Sequence, residues 1–125
     1  MQLRKVSLNE KFGAIGERWR PKTVATVNDF AVKLVKTGDE FIWHDHPDDD
    51  EIFLIVKGHI AMHYVNDGKE AVETFGPGEL LKLPRGVQHR PVCEPDTELI
   101  LIERADLVNT GSAPASEFTA PHAEL

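Results

Sequence analysis

The stretch G38-D-E-F-I-W-H44-D-H46-P-D-D-D-E51-I-F-L-I-V-K-G58 decides how this chain is read. It sets two histidines two residues apart, follows them with a run of acids, and closes on glycine. On a β-strand, residues i and i+2 project from one face, so His44 and His46 converge if the strand reaches His46. A turn through residues 47–50 returns the chain, and Glu51 then opens the next apolar run. An antiparallel hairpin therefore brings one carboxylate beside two imidazoles. Two histidines and a carboxylate with open positions form the ligand set of a non-haem Fe(II) centre, and the same set suits Mn, Ni, Co or Zn. An acidic surface turn that happens to hold two histidines satisfies the same spacing. Spacing alone leaves both readings standing.

The rest of the chain narrows the field. Its 125 residues suit one domain, and 41% hydrophobic residues lie far above the range of a disordered chain. Fourteen basic against twenty-one acidic residues give a net charge of −7, which argues against a nucleic-acid surface. A single cysteine excludes an internal disulfide and points to a reducing compartment. The longest aliphatic or aromatic run, residues 52–56, is too short to span a bilayer, and no signal-like segment precedes it. A cytoplasmic protein that engages neither nucleic acid nor membrane is expected.

Leu8, Phe12, Ile15 and Trp19 recur at helical spacing, with Ser7 and Glu10 as a capping box. Gly13 and Gly16 weaken that helix to one or two turns, and Pro21 ends it. From Lys22 onward the pattern is short and β-rich. Strands are expected over 23–27, 31–36, 40–44, 51–57, 60–65, 71–75, 79–83, 88–93 and 98–103, separated by turn residues. Asp67-Gly68 is the clearest hairpin signal. Nine short strands with no helix among them indicate a β-barrel or sandwich. The organisation expected is an N-terminal helix or arm over 1–21, a barrel over 22–104, and a small, polar, loosely held tail over 105–125.

Six histidines are present, at 44, 46, 59, 63, 89 and 122. In H59-I-A-M-H63-Y-V the better inward face is Ile60, Met62 and Tyr64, which leaves His63 outside, and His122 falls in the tail. A second block decides among them. Twenty residues beyond Gly58 the chain reads G78-E-L-L-K-L-P84-R-G86-V-Q-H89. The first block has the form Gly, five residues, His-x-His, four residues, Glu, six residues, Gly. The second has the form Gly, five residues, Pro-x-Gly, two residues, His. Nine specified residues in two ordered blocks resemble the two motifs of the cupin superfamily, here over 38–58 and 78–93. W19-R-P-K, L-I-E103 and N-T-G111 are similar to a group of small single-domain bacterial cupins.

The resemblance implies an all-β fold, an antiparallel β-barrel or jelly roll (the double-stranded β-helix) behind a short N-terminal helix. It places His44, His46, Glu51 and His89 at the family's four ligand positions for one divalent transition metal: Fe, Mn, Ni, Co or Zn. The second motif often ends in Asn where this chain has Cys93, a position outside the ligand set. Cys93 shares parity with His89 and is expected inside as a structural thiol. Ile42, Phe53, Ile55, Met62 and Cys93 are expected to line the pocket. Tyr64, with a proton to offer, is the candidate general acid–base residue. Asp45 alternates with the histidines and is expected to point to solvent. A metal-dependent enzyme acting on a small organic molecule (a dioxygenase, isomerase or lyase) is the leading expectation. The alternatives are a metal-dependent binding or sensor module without turnover, and a structural barrel that the metal stabilises. Outward Leu54 and Val56, with the two apolar faces of L99-I-L-I102, suggest a strand buried on both sides, and the resemblance implies a homodimer.

Overall fold

Alternation along each strand decides which side chains are enclosed, and it does so in register across two facing sheets. The computed structural model describes residues 3–125. One helix, α1 (Leu8–Ala14), precedes nine strands: β1 (Lys22–Val27), β2 (Phe30–Lys36), β3 (Asp39–Glu40), β4 (Glu51–Lys57), β5 (Ile60–Asn66), β6 (Lys69–Phe75), β7 (Leu80–Leu83), β8 (His89–Cys93) and β9 (Glu98–Arg104). One sheet has the order β1-β2-β9-β4-β7 and the other β3-β8-β5-β6, with antiparallel pairing throughout. The fold is all-β, as expected. Between the sheets lies a core that includes Val35, Phe53, Ile55, Met62, Cys93, Leu99 and Leu101. Each comes from the inward parity of its strand.

The β5–β6 connection is the Asp67-Gly68 turn, where both residues have positive φ, 50° and 75°. That geometry matches the twist of the flanking strands, which is why Gly follows Asp there.

The N-terminal helix has the expected one or two turns, though it stops sooner than the Pro21 boundary. Ser7 caps α1 by accepting from the Glu10 N–H, and the helix closes at Ala14. Phe12 and Ile15 pack on Val24, Leu34 and Ile100, on the outer face of the five-stranded sheet. Burying a large apolar side chain in this way contributes about 1.5–3 kcal/mol. Trp19 has left the helical stripe. Its indole N–H donates to the Gly38 carbonyl at 2.7 Å, and its ring meets Phe41 with centroids 4.9 Å apart.

The strand expected over 40–44 also differs. Asp39 and Glu40 pair with Cys93 and Val92, and the ladder resumes only at His44 opposite His89. There the two residues exchange backbone bonds of 3.0 and 2.9 Å. The register sum rises by one between Glu40–Val92 and His44–His89, so one extra residue bulges out on this strand. A bulge of this kind resets parity. Phe41, rather than Ile42, therefore shares the buried side with His44.

The tail is not loose. Thr23 on β1 receives Leu125 N–H and donates to the Ala123 carbonyl, which extends the sheet edge by a bridge to Glu124. The Asn109 amide donates to the Phe118 and Trp19 carbonyls and accepts from the Ala120 N–H. Gly111 (φ +56°) sits so close to the histidine hairpin that a Cβ there would collide with the Asp45 carbonyl oxygen. The tail straps the barrel because its buried polar groups find partners on the arm and the hairpin. Among the described residues no helix is long and apolar enough to cross a membrane.

Candidate metal centre

His44 ends the bulged run beside β8, His46 follows at the same parity, Glu51 is the first residue of β4, and His89 is the first of β8. All four side chains are buried. The ring nitrogens offered by His44, His46 and His89 lie within 4.8 Å of one another. Nitrogens held ~2.1 Å from one ion stand at most ~4.2 Å apart, so small shifts close this cluster on a single ion. Glu51 Oε1 stands 3.1 Å from His46 Nε2 and 3.7 Å from His89 Nε2.

Two of the rings are fixed by the backbone. The Nδ1 atoms of His44 and His89 lie 2.9 and 2.8 Å from the carbonyls of Ile42 and Val87. A carbonyl only accepts, so Nδ1 carries the proton in each and Nε2 keeps its lone pair. His89 Nε2, both ring nitrogens of His46, and Glu51 Oε1 are buried without a hydrogen-bond partner. Orphaned buried polar atoms on one point are costly unless something occupies it. The residues present fit a divalent cation.

Charge states agree with this fit. Burial lowers the His44 pKa to about 4 and the His89 pKa to about 3, with the neighbouring imidazoles adding to the effect. Burial also lowers that of His46. All three are neutral at pH 7, the form that binds metal. Burial raises the Glu51 pKa, which a bound cation would reverse.

A cavity of about 40 Å³ adjoins the centre, walled by Trp19, Phe41, Phe53, Leu101, His44 and Glu51 among others. Phe41 stands edge-on to both His44 and Phe118 at 5.2 and 5.3 Å. Of the residues expected to line it, Phe53 does so. Ile55, Met62 and Cys93 belong to the packed core, and Ile42 is half-buried on the other side of the bulge. Burial pushes the Cys93 thiol up to about 11, which keeps it un-ionised. Tyr64 pairs with His89 across β5–β8 yet lines a separate cleft with Met62, Leu83 and Val87.

The remaining polar residues frame the hairpin. Asp45 meets Ser112 of the tail instead of solvent. Asp49 pairs with Arg104, and Asp50 accepts from the Arg85 backbone and side chain. Arg90 lies outside, on Glu40 and over Trp43. His59 pairs with Glu94 at the surface.

Two buried charges went unnoticed in the sequence. Lys33 Nζ lies 3.1 Å from Glu103 Oε1, and Glu103 stands directly across the β4–β9 pair from Glu51. A signal was available: Lys33 alternates with Ala31 and Val35, and Glu103 with Leu99 and Leu101, all on the inward parity.

Comparison with known proteins agrees with this architecture. Uncharacterized protein YdbB of Bacillus subtilis (strain 168) is 34% identical over 68 residues, 54% of this chain and 58% of that protein. The match thus spans less than two thirds of the curated relative. A crystal structure of a cupin-2 domain containing protein from Shewanella frigidimarina NCIMB 400 superposes with a TM-score of 0.72 at 32% identity, covering 79% of this chain and 93% of that one. Protein NMB1881 from Neisseria meningitidis does so with a TM-score of 0.70 at 32% identity, over 81% and 99%. The family model for the cupin domain, Cupin_2, matches residues 31–103, from β2 to the end of the inward positions of β9. The chain belongs to the cupin domain family.

Proposed function

We propose that His44, His46, Glu51 and His89 hold one divalent transition metal, and that the protein is a metal-dependent enzyme acting on a small organic molecule. The observation that carries this reading is the cluster of three buried imidazoles, with the orphaned Nε2 atoms of His46 and His89 beside Glu51 Oε1. Three neutral imidazoles and one carboxylate leave a divalent ion with one net positive charge. Four protein donors leave up to two positions on a six-coordinate ion. Bound there, the metal supplies a Lewis-acid or redox centre.

The chain's own residues supply the rest. The backbone carbonyls of Ile42 and Val87 hold two imidazoles in their ligand tautomer. Trp19, Phe41 and Phe53 make a dry wall that strengthens polar contacts inside it. A cavity of about 40 Å³ takes only a few heavy atoms, so a larger substrate requires a wall residue such as Trp19 to swing out. A homodimer is part of this reading. Val32, Ile52 and Ile102 form one cross-strand row on the outer face of the five-stranded sheet, half-covered or exposed.

Turnover separates this reading from a binding module. Metal-loaded protein is offered a panel of small oxygenated compounds while O2 uptake and product formation are followed. Consumption of one class supports the enzyme; tight capture without product from any of them contradicts it.

A further inference from the structure

The inner face of the five-stranded sheet carries three charged side chains in a row across adjacent strands. The β4–β9 register sets Ile52 opposite Ile102, and so places Glu51 directly across from Glu103. On the far side of β9, Glu103 faces Ala31, whose small side chain leaves room for Lys33, two residues along the same face. Lys33, Glu103 and Glu51 are 3%, 1% and 4% exposed, so water screens none of them. Like charges directly opposite on a sheet destabilise it, and buried carboxyl groups in contact require either a shared proton or cations beside them. Lys33 stands on one flank of this pair. The other flank opens on the three imidazoles, where Glu51 Oε1 lies between His46 and His89. The Lys33 ammonium also reaches the Leu107 carbonyl at 3.5 Å, which ties the row to the tail.

We propose that Glu103 and Lys33 are positioning residues of the metal centre, Glu103 bracing Glu51 toward the ion and Lys33 anchoring Glu103, and that their opposed charges set the affinity for the metal. The inference rests on the metal reading above. Glu103 adds negative charge behind a ligand carboxylate, and Lys33 restrains that gain. Groups that support a ligand in this manner change metal affinity by roughly 10- to 100-fold when altered.

Metal-stripped protein is titrated with Co2+ against a chelator, the visible Co2+ bands are recorded, and thermal unfolding is followed in parallel. Glu103→Gln keeps shape and hydrogen bonding but leaves the Lys33 charge unopposed; Co2+ affinity is expected to fall about tenfold or more. Lys33→Met removes the restraint, and affinity is expected to rise. Loss of affinity in both variants alike, or in neither, overturns the inference. Should Glu103→Gln not fold, the pair is removed together as Lys33→Met with Glu103→Leu. Co2+ bands shifted from wild type then support the bracing of Glu51, and unchanged bands overturn it. Wild-type protein that binds no Co2+ defeats the metal reading itself; wild-type binding with Glu103→Gln unaffected defeats only the present inference.

Discussion

His44 and His89 each fix Nδ1 on a backbone carbonyl, and this arrangement leaves Nε2 with its lone pair, able to bind a metal at neutral pH. It also has a thermodynamic signature. In metal-free protein the folded imidazoles stay neutral down to about pH 4 and about pH 3, whereas unfolded ones take up protons below 6.5. The unfolded chain then binds more protons, so these groups make stability fall as pH drops from 6.5 toward 4. Glu51 and Glu103, raised by burial, act in the opposite sense above about 4.5. The histidine contribution is isolated by comparing slopes. His89→Ala should flatten the dependence of unfolding free energy on pH by up to about 1.4 kcal/mol per pH unit between 6.5 and 4, measured by urea denaturation of stripped protein. Parallel slopes for the two proteins would show that His89 titrates normally.

At the scale of elements, the strands were legible wherever apolar alternation ran uninterrupted, as in β2, β4, β5 and β9. The hairpin that returns Glu51 to the histidines was legible from the motif spacing. The run from Phe41 to His44 was not, because a bulge adds a residue without any compositional mark, and parity counted through it assigns Ile42 the place that Phe41 takes. Lys33 and Glu103 stood on inward parities, but charge in a strand ordinarily means solvent, and only the cross-strand register shows that they face each other. The tail has no periodicity to read. What holds it is the Asn109 amide, a sheet-edge bridge and the close approach at Gly111. Gly111→Ala should therefore cost about 1–2 kcal/mol from the left-handed backbone alone, and more from the collision with Asp45. A melting temperature equal to wild type would mean that the strap does not bear on the hairpin.

Across the whole molecule, the arm covers the outer face of the larger sheet around Leu34 and Ile100, and the neighbouring row Val32, Ile52 and Ile102 on that face is left half-covered or exposed. Association through that face predicts a dimer in sedimentation equilibrium at micromolar concentration, with Ile102→Asp yielding monomers; wild-type protein that sediments as a monomer contradicts it. The centre between the sheets is what the arrangement serves, and its occupancy is the most direct test. Protein purified without added metal is analysed by elemental mass spectrometry alongside His44→Ala and His89→Ala variants confirmed to be folded. The account predicts close to one divalent transition metal per wild-type chain and loss of most of it in both variants. Wild-type protein without metal, or variants that retain the wild-type amount, would contradict it.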